Sequence, residues 1–224
     1  MRYLVLFIVP AWQLVAMAPC ESLTQLAVPH ATVTLAQSLA AGQLALPAGA
    51  VPAFPGFPAP NFGNLPAFCR VTATLAPASD SEIKIEVWMP ASGWNGKLES
   101  VGNGAWAGSI SYRDLATALN AGYAAASTDT GHTGNTATFV VGHPEKLVDF
   151  AYRAVHEMTV VAKAITKAYY GGGPQRAYFN GCSTGGRQAL AEAQRFPSDY
   201  DGIIAGAAAN YPTHLQGAQV WTAV

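Results

Sequence analysis

The sequence predicts an α/β fold, on three observations. Short runs of strand length, apolar or strictly alternating, recur between stretches whose apolar residues follow helical spacing. One such run, 176–180, passes through Gly181-Cys182-Ser183-Thr184-Gly185 directly into a helical pattern, so that a Gly-x-Ser-x-Gly turn joins strand to helix. The 22 glycines and 15 prolines suit the many loops that a strand and helix succession needs.

Residues 1–18 form a separate unit. Arg2 precedes an apolar run from Leu4 to Ala18, and Ala16-Met17-Ala18 supplies the small residues of a cleavage site, the pattern of a secretory signal peptide. Pro10 and Gln13 interrupt the run, which falls short of the roughly 20 apolar residues a spanning helix requires. Residues 19–69 are an N-terminal extension. Cys20 and Cys69 flank the Pro-, Ala- and Gly-rich stretch 45–66, which has little periodicity of its own and needs a staple, so a Cys20–Cys69 disulfide is expected in an exported chain. By the chain-entropy argument a loop of this length contributes about 4 kcal/mol.

Residues 70–224 carry the α/β succession. Strands are predicted over 70–76 and 82–89, joined as a hairpin; in the second, Ile83, Ile85, Val87 and Met89 alternate with Glu82, Lys84, Glu86 and Trp88. A third strand, 97–101, enters the loop Gly102-Asn103-Gly104-Ala105-Trp106. Helix 112–120 follows, closed by Gly122, and then the apolar strand 123–127. A helical stripe runs over 147–170 through Leu147, Ala151, Val155, Met158, Val161, Ile165 and Tyr169, ended by Gly171-Gly172-Gly173-Pro174. Strand 176–180, helix 184–196 and strand 201–205 complete the pattern.

The turn at Ser183 carries the chemistry. A nucleophile elbow is so tight that the residues two before and two after the nucleophile must be small, and Gly181 and Gly185 occupy those places. Ser183 then stands at the tip, ahead of a helix whose free N–H groups and positive end favour a developing oxyanion. Acyl transfer needs two such donors. The backbone N–H of Thr184 and that of Gly104, in the loop after the third strand, are the candidates by position. The same loop satisfies a dinucleotide fingerprint, Gly102-x-Gly104-x-x-Ala107, with Asp129 downstream. That reading, an NAD-dependent dehydrogenase, is disfavoured because the loop follows an antiparallel hairpin and Ala107-Gly108-Ser109 delays the helix it should open. No Gly-x-x-x-x-Gly-Lys phosphate loop occurs.

Around the elbow the run Gly181-Cys182-Ser183-Thr184-Gly185-Gly186-Arg187-Gln188 continues to Phe196-Pro197 and Tyr200-Asp201-Gly202-Ile203-Ile204-Ala205-Gly206-Ala207. With Val101-Gly102-Asn103-Gly104, Ser127-Thr128-Asp129-Thr130-Gly131-His132 and His156-Glu157, it closely resembles the tannase and feruloyl esterase family of α/β-hydrolases. The resemblance implies an α/β-hydrolase fold and a serine carboxylesterase that forms an acyl-enzyme on Ser183. Its substrates would be small aromatic esters, typically of gallate or ferulate, with some relatives taking terephthalate monoesters. It also implies that the strands above are the first six of the fold. The lid domain, the closing strands, and the catalytic Asp and His would all follow in sequence absent here, so the chain reads as a fragment, inactive alone. The family's calcium site would belong to that lid, leaving no cofactor in this chain. Cys182 would be bridged to a cysteine beside the missing histidine; on the residues alone, the choice is between that missing partner and a buried free thiol.

The other polar residues weigh less. His132, just past the fourth strand, lies on the rim of the active face and is a candidate substrate contact. His143 reads as loop and His156 as helix packing. His214, with Asp199 and Asp201, could make a miniature triad, but Asp201 opens its strand at the end opposite the catalytic loops. No Cys and His spacing suggests zinc, and Asp80, Asp114 and Asp129 are too scattered for a calcium loop. A formal net charge of −1 gives no case for nucleic acid or for an anionic membrane once the signal is removed. A secreted or periplasmic location follows from the leader. A hydrolase-like protein that binds without catalysing is the remaining alternative.

Overall fold

The computed structural model describes residues 17–47, 49–51 and 60–223. Most of the expected signal peptide, residues 1–16, lies outside them. The strands are β1 (Ala31–Leu39), β2 (Phe68–Leu75), β3 (Ile83–Pro90), β4 (Lys97–Val101), β5 (Ala124–Thr128), β6 (Arg176–Cys182) and β7 (Gly202–Gly206). They form one sheet in the order β1-β2-β3-β5-β4-β6-β7. The pairs β1 with β2, β2 with β3 and β3 with β5 are antiparallel, and β5, β4, β6 and β7 run parallel. The parallel half has its carboxyl ends along one edge, where the loops that follow β4, β5 and β6 converge.

Helix α1 (Tyr112–Asn120) covers one face and α3 (Ala154–Tyr170) with α4 (Thr184–Arg195) the other. Under α1, Leu115 and Leu119 join Phe68, Trp88 and Val101; under α3, Met158, Val161 and Ile165 join Val71, Val87 and Phe179. Gly171, at φ 74°, ends α3 in the left-handed conformation a glycine adopts without penalty. Two short helices complete the set, α2 (Pro144–Val148) before α3 and α5 (Pro212–Ala223) after β7. Among the described residues no helix is long and apolar enough to cross a membrane.

Four features differ from the sequence-based expectation or extend it, and the expected disulfide agrees with it. Strand β1 was not predicted, although Ala31, Val33 and Leu35 alternate with the exposed Thr32 and Thr34 along it. It pairs with β2 through a register shift between Val33 and Leu35. Helix α5 was not predicted either. The expected continuous helix 147–170 starts earlier, at a Pro in its first turn, and is split by a π-helical turn, Asp149–Arg153. Strand β3 buries both faces: Glu86 and Trp88, expected outward, are covered by α1. Glu86 is tolerated there because four donors meet its carboxylate, Arg70 Nε at 2.9 Å and Nη2 at 2.6 Å, Trp88 Nε1 at 2.8 Å and the Tyr112 hydroxyl at 2.7 Å. The Cys20–Cys69 disulfide is present, with Cα atoms 5.6 Å apart, and ties the 3-10 turn Cys20–Gln25 to β2.

Candidate active site

Ser183 stands between β6 and α4 with φ 61° and ψ −117°, a conformation an L-residue adopts only under constraint. The constraint is visible. Its N–H donates to Gly206 O at 3.0 Å, and its carbonyl accepts from Arg187 N at 3.1 Å and Ala209 N at 2.9 Å, so the turn is held from β7 and from its own helix. The side chain is left exposed at the tip.

The glycines around it exist for contact rather than freedom. A Cβ on Gly181 would lie 2.4 Å from the Gly185 carbonyl group, and one on Gly102 would lie 2.6 Å from Gly185 Cα. Strand β4's loop and the elbow therefore touch backbone to backbone. Gly185 N–H donates to Asn103 O at 2.7 Å, and Thr184 Oγ1 donates to Ala105 O at 2.8 Å. The Asn103 side chain is a buried peg: its amide donates to Thr128 O at 2.8 Å and Ser109 O at 3.0 Å, and its oxygen accepts from Gln188 Nε2 at 3.1 Å. Gln188 Oε1 accepts in turn from Asn103 N at 3.0 Å. Sequence reasoning missed this Asn103–Gln188 pair, since nothing local marks two amides separated by 85 residues as partners.

Among the described residues the amides expected at an oxyanion site are unbonded: no hydrogen bond is made by the N–H of Thr184 or of Gly104. A cavity of about 400 Å³ opens at Gly104 and Cys182, lined mainly by apolar surface that includes Ile110 and Tyr112; Ser183 and Thr184 are not among its lining residues. Asp114 also lines it, and burial raises its carboxyl above the ordinary value. Cys182 is exposed and free.

His132 is buried next to the loop. Nε2 donates to Trp106 O at 2.8 Å, Nδ1 lies 3.2 Å from Thr130 Oγ1, and the ring stacks on Phe139 at 3.7 Å. Burial holds the imidazole below its ordinary pKa. Asp129 spends Oδ1 on Lys84 N at 2.9 Å and Gly131 N at 2.8 Å, and burial pushes it up to about 6. His214, on the exposed helix α5, meets Thr213 and Tyr211. Asp201 caps the start of β6 through Ala177 N at 2.8 Å. Asp80 bonds His143, Asp129 bonds two backbone amides, and Asp114 sits on α1. The glycine loop does not open a helix as a dinucleotide loop would: α1 starts only at Tyr112, and Gly102 is spent on packing against Gly185.

Comparison with known proteins agrees with this geometry. Residues 69–224 match the profile of the family described as tannase and feruloyl esterase. An uncharacterized esterase of Xanthomonas campestris is 42% identical over 209 residues, 92% of this chain and 34% of its own length. Feruloyl esterase B of Aspergillus niger is 45% identical over 157 residues, 69% of this chain and 30% of its own. Among solved structures, feruloyl esterase B from Aspergillus oryzae superposes with a TM-score of 0.74 at 37% identity, over 85% of this chain and 36% of its own. The tannin acyl hydrolase of Aspergillus niger superposes at 0.62 with 25% identity, over 87% and 35%. The chain thus spans about a third of the length of these relatives.

Proposed function

Because this chain belongs to the tannase and feruloyl esterase family of α/β-hydrolases, we propose that it is the nucleophile-bearing part of an exported serine carboxylesterase acting on phenolic-acid esters. The observation that carries the reading is the strained, exposed Ser183 beside two unbonded amides. Ser183 Oγ attacks the ester carbonyl carbon, forming the Oγ–C bond while the carbonyl π pair moves onto oxygen. Thr184 N–H and Gly104 N–H receive that oxyanion. Each such donor is worth about 10²–10³ in rate. Collapse expels the alcohol and leaves the acyl-serine, which water then hydrolyses by the reverse sequence of steps.

The nucleophile needs a base to take its proton and an acid residue to orient that base. We assign both to sequence beyond the third of the protein described here, in keeping with the length of the relatives. This part is then inactive on its own. Cys182, exposed beside the nucleophile, is assigned a disulfide partner in that same sequence. The calcium ion associated with the family is assigned to that same sequence and enters no step derived for these residues. A cavity of about 400 Å³ suits a small aromatic acyl group. His132 acts through Trp106, whose carbonyl it holds, and so supports the loop of Gly104. Export rests on the leader-like start and on the Cys20–Cys69 bridge, which an oxidising compartment preserves.

Assay of the whole protein on methyl ferulate and methyl gallate tests this. Ser183→Ala should lower kcat by at least about 10³-fold with the fold retained; undiminished turnover would refute Ser183 as nucleophile.

A further inference from the structure

Helix α4 is fastened at its far end by a group of ionisable residues that the ester chemistry does not use. Glu192 lies about two and a half turns along α4 from Ser183. It is fully buried, and among the described residues neither carboxyl oxygen has a hydrogen-bond partner. Side-chain atoms of Glu192, Asp199 and His156 lie within 4.8 Å of one another. His156 Nδ1 donates to Asp199 Oδ2 at 2.6 Å, and its ring stacks on Phe196 at 3.8 Å. Around them, Lys163 Nζ donates to the Asp199 carbonyl and lies over the buried Tyr200 ring, whose hydroxyl bonds Thr159. The 196–199 link is closed by Phe196 N to Glu192 O and Asp199 N to Phe196 O, both 2.9 Å.

Two carboxyl groups facing each other in a buried site, one without any donor, cannot both be ionised at low cost. His156 already serves Asp199, and Lys163, whose charge favours an ionised Glu192, is hydrogen-bonded to the Asp199 carbonyl and not to either Glu192 oxygen. A single proton resolves the deficit, because it turns one Glu192 oxygen into the donor the pair lacks. We propose that Glu192 is kept as a neutral carboxylic acid donating to Asp199, so that His156, Asp199 and Glu192 form a proton-sharing clamp that fastens α4 to α3 and positions Ser183. Burial, with the charge of Asp199 second, raises Glu192 to about 8, consistent with a proton retained at neutral pH. The catalytic consequence rests on Ser183 being the nucleophile; the clamp itself does not.

The sign of the effect is fixed by the folded value lying above the unfolded one. Stability conferred by the retained proton is complete below the unfolded value and is lost as pH rises from about 4.5 to about 8. Glu192→Gln, whose amide is a permanent donor, removes that loss. The Tm of wild type should therefore fall relative to E192Q by several degrees between pH 5 and pH 9. In the whole enzyme kcat should fall on the alkaline side in wild type but not in E192Q, with KM unchanged. Infrared spectra of protein carrying ¹³C-glutamate should show one protonated glutamate carboxyl at pH 6.5, a measurement that needs no variant. Parallel pH–Tm curves, or a spectrum with every glutamate ionised at that pH, would overturn the proposal. So would one equivalent of zinc retained through dialysis by wild type and lost in E192Q, since the group would then be built for a cation. The thermal and infrared arms stand whether or not the protein hydrolyses esters, which separates failure of the clamp from failure of the nucleophile.

Discussion

Gly185 N–H donates to Asn103 O at 2.7 Å, and this bond locks the first turn of α4 against the loop that carries Gly104. Ser183 and the proposed oxyanion donors are therefore one rigid piece, assembled from β4 and β6 as neighbouring strands. Preorganisation of this kind is what makes such donors effective, because nothing has to move as charge develops.

The closeness of the two backbones yields a sharp prediction. Alanine at position 102 would place its Cβ 2.6 Å from Gly185 Cα and 3.2 Å from Gly181 Cα, backbone on both sides, and 3.1 Å from the Gln188 Oε1 that bonds Asn103 N. Gly102→Ala should cost about 1–3 kcal/mol of stability and, by displacing the loop relative to Ser183, about 10²-fold in kcat/KM. Thermal melts and steady-state kinetics on the whole enzyme check both; wild-type kinetics would mean that the loop takes no part.

Arg187 makes a second prediction. Its guanidinium donates to Ala151 O at 2.8 Å and Phe150 O at 3.1 Å, the carbonyls of the π-helical turn, and lies 4.9 Å from the Phe150 ring centroid. Burial lowers its pKa. A lysine cannot fork to two carbonyls and stack at once, so Arg187→Lys should lose on the order of 2 kcal/mol in denaturant unfolding. A change below about 0.5 kcal/mol would show that the π turn stands without it.

Asp129 supplies the pH dependence. Burial raises its carboxyl from 3.8 to about 6 although two backbone amides bond it. Stability from its protonated form is thus complete below the unfolded value and lost as pH rises through about 4 to 6. Asp129→Asn keeps an oxygen for both amides and should remove this component, on the order of 2 kcal/mol. Comparing unfolding of the two proteins at pH 4 and pH 7 isolates it; identical pH profiles would contradict it.

The parts of this architecture that were legible in the sequence are those set by local pattern. Helix Tyr112–Asn120 was predicted with the bounds observed, because a helical stripe meets a glycine stop. The elbow was legible because close packing excludes a Cβ at 181, which would meet Gly185 at 2.4 Å, and crowds one at 185, which would meet the Gly102 loop at 3.2 Å. What was hidden depends on partners distant in the chain. Outward-facing Glu86 and Trp88 looked like solvent positions in β3, until α1 covered them and Arg70 and Tyr112 supplied donors. The π turn is invisible to periodicity, and the arginine that bonds its carbonyls lies beyond α3, on α4. The Thr and Val alternation of β1 was present but stood beside a Pro-rich stretch that reads as loop.

The account stands on Ser183 as an activated nucleophile, and covalent labelling reads this most directly. The whole protein, treated with a fluorophosphonate probe and digested, should carry the phosphonyl group on the peptide containing Ser183 and on no other serine. Label should be absent from Ser183→Ala. A folded protein that takes up no probe, or takes it up equally in the alanine variant, would contradict the assignment and identify the chain as part of a hydrolase-like binding protein.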